Sequence, residues 1–186
     1  MRALLTALVL AIPAAGVALP QSGVLPWTDR TPKPRNPLLL QTTMMAAHNE
    51  ARRLYGVPAL AWDEGLARDA AVYAAQLARA NRFEHDRQAG RQVHQGENLW
   101  MGTRGAYGAY GYGEMIGLLV EERRYFRPGR FPNVSRSGHW SHVSHYTQII
   151  WPTSQRVGCA TASNRSNDYL VCRYLPAGNV VGTVLR

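Results

Sequence analysis

Six histidines and twelve acidic residues are the chain's main resources for chemistry. Five of the histidines fall between His85 and His145. None stands in a His-Glu-x-x-His pattern, and there is no Gly-x-Ser-x-Gly elbow, so the usual zinc-protease and serine-hydrolase signatures are missing. His139, His142 and His145 recur every three residues like a metal cluster, but the segment contains Gly138 and leads into an expected strand. On a strand, positions 142 and 145 face opposite sides, so these histidines read as loop surface. A second set is His85, Glu97, Glu121 and His145. Two imidazoles and two carboxylates in one cleft would bind a divalent cation such as Zn²⁺, or pair as acid and base. Their spacing alone does not show that they meet.

The elements that must position these residues follow from pattern. From residue 38 the pattern is helical up to Gly56, and Pro58 forbids continuation. Asp63 is the N-cap expected for a second helix running to about Asn81, with Leu66, Ala70, Tyr73 and Leu77 as its apolar stripe. Ala67, Ala71, Ala74 and Ala78 form a neighbouring row of small residues, suited to close approach of another backbone. Residues 82–113 read as irregular, with a Gly- and Tyr-rich loop at 102–113. Residues 114–126 resume helical character, placing Glu121 on a third helix until Pro128-Gly129 stops it. After a long loop, residues 146–151, 156–161 and 169–174 read as strands, with His145 starting the first and turn chemistry at 163–168. Helices first and a β-hairpin region last indicate an α+β fold with helices on a sheet.

At 186 residues the chain suits one domain, and 46% hydrophobic residues can build its core. With 18% charged residues it is neither a coiled coil nor a highly charged disordered chain. Met1-Arg2 followed by an apolar run to Ala18, with small residues Gly16 and Ala18, reads as a signal peptide over residues 1–18. The alternative, a membrane anchor, needs roughly 20 unbroken apolar residues, and Pro13 interrupts this run. Cleavage would remove Arg2 and lower the net charge from +9 to +8. Residues 19–40 form a Pro-rich lead-in, and residues 41–186 form the domain. Export to an oxidising compartment favours pairing of Cys159 and Cys172 across the last hairpin, the alternative being two buried thiols.

Four motifs in order resemble one family. His48-Asn49-x-x-Arg52, then Gly56-Val57-Pro58-x-Leu60-x-Trp62-Asp63-x-x-Leu66-Ala67, looks like the opening of the CAP superfamily: cysteine-rich secretory, antigen 5 and pathogenesis-related (SCP-like) proteins. Gly96-Glu97-Asn98-Leu99 is similar to its central motif. His145-Tyr146-Thr147-Gln148-Ile149-Ile150-Trp151 resembles its first signature, and residues 169–179 resemble its second. Ser144 stands where the family usually has Gly. The resemblance implies a three-layer α-β-α sandwich with a largely antiparallel central sheet. It also implies a His/Glu tetrad at His85, Glu97, Glu121 and His145, with Glu121 preferred over Glu122 because the family's Glu precedes a Tyr by four positions and Tyr125 fits. Cys159 and Cys172 match the family's C-terminal Cys pair.

The expected function is therefore a secreted, extracellular or periplasmic protein whose central His₂Glu₂ cleft binds a divalent metal, a small molecule or a lipid-like ligand. One alternative is metal-dependent hydrolysis in that cleft, with Glu97 or Glu121 as base. Another is binding of an anionic cell-envelope polymer through arginine clusters such as Arg52-Arg53 and Arg123-Arg124. Nucleic acid is not expected as a partner, since no nucleic-acid motif is present. The short leader and single domain suggest a bacterial source. Asn133 and Asn164 head Asn-x-Ser sequons in expected loops.

Overall fold

The computed structural model describes residues 33–104 and 110–186. The leader expected at 1–18 and most of the Pro-rich segment lie outside the described residues. Helix α1, Pro37–Tyr55, starts where the Asn36 side chain accepts from the Leu39 N–H and Pro37 fills the first turn. It stops at Gly56, whose φ of 81° is the left-handed cap that glycine adopts without strain. Strand β1 (Ala61–Trp62) leads into α2, Glu64–Ala80, and Asp63 caps α2 by accepting from the Leu66 N–H at 2.9 Å. Strand β2 spans Gly96–Thr103, and α3 spans Tyr112–Val120, tightening into a 3-10 turn over Glu121–Tyr125. A short strand β3 (Gly129–Arg130), a 3-10 turn over Trp140–Val143 and helix α4 (Ser144–Ile149) follow. The hairpin of β4 (Arg156–Ser163) and β5 (Asn167–Leu175) and the short β6 (Val184–Leu185) complete the chain.

The main sheet has the order β1-β4-β5-β2, antiparallel except for the β1–β4 pair. Alternation along β5 separates two cores, because successive side chains of a strand face opposite sides. Leu170, Cys172 and Tyr174 join Met44 of α1, Ile116 of α3 and Ile149 of α4 on one face. Tyr169 and Val171 join Ala70, Ala74 and Leu77 of α2 on the other. The result is the α-β-α sandwich: α2 over one face, and α1, α3 and α4 over the other. The small face of α2 permits close approach, since a Cβ on Gly158 of β4 would lie 2.2 Å from the Ala67 backbone nitrogen.

Two elements depart from the sequence expectation. Residues 146–151, read as a strand, belong mainly to α4, so His145 sits on a helix. Residues 96–103, read as irregular, form β2, which pairs along its whole length with β5.

Candidate functional site

His85 follows α2, and Glu97 is the second residue of edge strand β2. The His85 Nδ1 lies 2.6 Å from Glu97 Oε1; because a carboxylate only accepts, the ring nitrogen donates. The same oxygen accepts from the Asp86 backbone N–H. Glu97 stands opposite Arg173 in the β2–β5 register, and its Oε2 is 3.0 Å from the Arg173 guanidinium. Arg173 is wholly buried, also pairs with Asp86 at 2.7 Å, and lies over the Tyr73 ring. This scaffold holds the Glu97 carboxylate in place. Its hydrogen bond raises the His85 pKa above the ordinary value, against partial desolvation and the nearby Arg173 charge.

His145 forms a second, separate pair. Its Nδ1 donates to Glu122 Oε1 at 2.6 Å, and its backbone N–H donates to Glu122 Oε2 at 2.9 Å. The Tyr146 N–H donates to that same oxygen. Glu122 therefore closes the orphan amides at the start of α4. Glu121, the tetrad member chosen from sequence, instead lines the groove between α1 and α3. The preference for Glu121 rests on the family's Glu-to-Tyr offset matching Tyr125; the 3-10 turn over Glu121–Tyr125 presents the adjacent Glu122 to His145 instead.

His85, Glu97 and His145 line one cleft of about 340 Å³, but the four expected ligands do not form one metal sphere. Among the described residues, the only set of three His, Cys, Asp or Glu side chains with ligand atoms within 4.8 Å of one another is His48, Cys159 and Cys172. The expected Zn²⁺ site at His85, Glu97, Glu121 and His145 is corrected accordingly, and with it the metal-dependent hydrolase built on that site. The physical reason is that each pair is closed on its own partners: Glu97 is committed to His85 and Arg173, and Glu122 to His145 and the first amides of α4. The trio His139, His142 and His145 does not form a ligand set either: the His139 and His142 rings lie 5.4 Å apart, but His145 turns its Nδ1 to Glu122.

His48, the first residue of the opening motif and no member of the expected tetrad, is fully buried on α1. Its Nδ1 donates to the Met44 carbonyl at 2.7 Å, so its Nε2 accepts from the Tyr174 hydroxyl, also at 2.7 Å. Burial pushes its pKa down to about 4. Cys159 and Cys172 face each other across β4 and β5 and are joined as a disulfide. A thiolate, and not a disulfide sulfur, is the metal ligand, so this His-Cys-Cys cluster is a metal site only in its reduced form.

A larger concavity of about 870 Å³ lies between α1 and α3. Its walls include Ala46, Ala47 and Ala51 from α1 and Gly113, Ile116 and Gly117 from α3. Glu50, Glu121, Arg123 and Tyr146 also line it.

The family description "Cysteine-rich secretory protein family" matches residues 45–174. The chain belongs to this CAP family. Pathogenesis-related protein 1B of Nicotiana tabacum is 35% identical over 143 residues, covering 76% of this chain and 78% of the tobacco protein. Cysteine-rich venom protein VAR3 of Varanus acanthurus is 35% identical over 154 residues, covering 77% and 80% of the two chains. The crystal structure of NaASP2 with Zn²⁺ shares the fold with a TM-score of 0.65 at 20% identity, covering 82% of this chain and 88% of that one. As a CAP protein with a closed disulfide, the chain is extracytoplasmic. Within the CAP fold, its opening motif serves architecture: His48 ties α1 to β5, and Arg52 ties α1 to the end of α4 and the segment after it.

Proposed function

We propose that this CAP protein is a secreted binding protein that holds a lipid-like ligand in the groove between α1 and α3. The observation that carries the reading is the pair Gly113 and Gly117, one turn apart on α3. A Cβ built on either meets nothing within 4 Å, although both residues line the groove. Glycine costs about 1 kcal/mol per residue relative to alanine inside a helix. Two such residues facing open space keep room for an occupant. The volume of about 870 Å³ lies within the range of small-molecule sites, roughly 300–1,000 Å³. Alanines and Ile116 suit an apolar body, while Glu50, Glu121, Arg123 and the Tyr146 phenol can meet a polar end. A bacterial source is supported only by the short leader and the single domain; the relatives cited come from a plant and a lizard.

Titration with the fluorescent fatty acid cis-parinaric acid tests the proposal. Gly117→Leu is expected to weaken binding by at least about tenfold, equivalent to roughly 1.4 kcal/mol. It should leave thermal stability unchanged or higher, because leucine is the better helix former. Unchanged affinity in Gly117→Leu, or no binding by the parent protein, overturns it.

A further inference from the structure

We propose that the cleft beside edge strand β2 binds one sugar ring of an anionic extracellular polysaccharide, with Trp140 as stacking platform and the adjoining arginine strip holding the polymer's charges. This site is separate from the α1–α3 groove and does not depend on it.

The cleft has two kinds of wall. Trp140, Phe131 and Val181 make an apolar side, and His85, His145 and Asn179 belong to the polar side. Trp140 is 47% exposed, unusual for so large a ring, yet it is not loose. It packs edge-on against Phe131 at 5.7 Å, and Phe131 packs edge-on against buried Trp151 at 5.8 Å. A braced indole with exposed surface at a cleft is a platform for the C–H face of a pyranose, whose weakly positive hydrogens meet the negative π face.

The polar wall suits hydroxyl groups. Both histidines commit Nδ1 to a glutamate, which leaves each Nε2 as the ring's remaining hydrogen-bonding atom. Asn179 is fixed by Thr147 Oγ1 at 2.7 Å and by the Ser144 carbonyl at 2.9 Å. Both nearby carboxylates are already engaged by partners within the protein. Glu97 is paired with Arg173, and Glu122 is engaged by His145 and two backbone amides.

Charge then selects the polymer. From Arg123 to His145 the sequence contains five arginines and no acidic residue. Arg124, Arg127, Arg130 and Arg136 are exposed and form the strip, whereas Arg123 lines the α1–α3 groove. The strip is continuous with the cleft. The Arg124 guanidinium lies 4.8 Å over the Tyr125 ring, Tyr125 is 6.3 Å from the His142 ring, and His142 shares a turn with Trp140. On the other side, Arg130 donates to the Gly182 carbonyl, next to Val181 in the cleft wall. Guanidinium forks match carboxylate, sulfate and phosphate groups. A lipid surface fits less well, because acyl chains would strip water from the polar wall and return no hydrogen bond.

Oligogalacturonate is the probe, with a neutral maltooligosaccharide, anionic phospholipid vesicles and a single-stranded oligonucleotide as comparisons, read by tryptophan fluorescence and calorimetry. Oligogalacturonate should bind, and more weakly as salt rises. Trp140→Ala should weaken it by about tenfold, and Trp140→Phe should restore most of the loss because a ring is kept. The double change Arg124→Gln and Arg127→Gln should flatten the salt dependence. No binding of oligogalacturonate, equal binding of the neutral sugar, tighter binding of vesicles or oligonucleotide, or indifference to Trp140→Ala each overturns the proposal. Failure of the parent protein to bind oligogalacturonate while it binds cis-parinaric acid would refute this site alone.

Discussion

Arg52 carries a sharp test of what the opening CAP motif does. Its side chain is completely buried, and its four recorded hydrogen bonds go to backbone carbonyls. Nε donates to Pro58 at 2.6 Å, Nη1 to Ile149 at 2.8 Å and to Trp151 at 2.9 Å, and Nη2 to Ser154 at 2.9 Å. Desolvation lowers its pKa, the cost of holding the charge there. In Arg52→Met the apolar stem remains and the donors vanish. Pro58 is exposed, so its carbonyl can turn to water, and the Trp151 carbonyl keeps the Ser154 N–H. The loss therefore falls on the carbonyls of Ile149 and Ser154, at about 1–3 kcal/mol for each buried acceptor left unmet. The two lost bonds to Pro58 and Trp151 add to it, and relief of the buried charge offsets part of the sum. The expected net destabilisation is about 3 kcal/mol, a drop in Tm of roughly 6–12 °C for a domain of this size. Arg52→Lys should cost less, because an ammonium can still reach one or two carbonyls. Urea unfolding of the oxidised protein measures both. Arg52→Met within about 0.5 kcal/mol of the parent would refute the carbonyl-clamp argument.

Two further predictions concern the buried centre. His48 has a folded pKa of about 4, below its ordinary 6.5, so between these values the unfolded chain binds the extra proton. Its contribution to stability is whole above pH 6.5 and falls as pH drops towards 4, by about 3 kcal/mol in all. Urea midpoints across that window should fall in the parent protein and flatten in His48→Phe, and an equally steep fall in that variant would show that another group is responsible. His85 acts with the opposite sign, since its pKa is raised, but its ring is largely exposed. Reducing the Cys159–Cys172 bridge, which spans 13 positions, should cost about 3 kcal/mol on a loop-entropy account. It should also create the thiolates that His48 needs as co-ligands, so Co²⁺ should give sulfur charge-transfer absorption only in the reduced protein. The same absorption in oxidised protein, or its persistence in His48→Ala, would contradict this.

Much of the frame was legible residue by residue. Asp63 caps α2 as its position before the apolar stripe implied, and the strand-like runs 156–161 and 169–174 with turn chemistry between them marked the hairpin that places Cys159 opposite Cys172. Residues 146–151 misled because Tyr, Thr, Ile and Trp have strand propensity, while Glu122 supplies amide caps that favour a helix there. Strand β2 was missed because Glu97 and Asn98 look like loop residues until Arg173 and Tyr174 are seen to partner them.

The site divides the same way. Sequence by itself determined the family, the caps, the hairpin and the residues near the cleft, because each is written in local spacing or in a motif. Only the tertiary structure decided that Glu122 and not Glu121 meets His145, and that the two His–Glu pairs lie apart instead of around one ion. It alone opened the space beside Gly113 and Gly117 and set Trp140 at the cleft beside the arginine strip. The reason is distance along the chain. These features join residues from different elements, and their relative placement is set by tertiary packing, which no local pattern encodes.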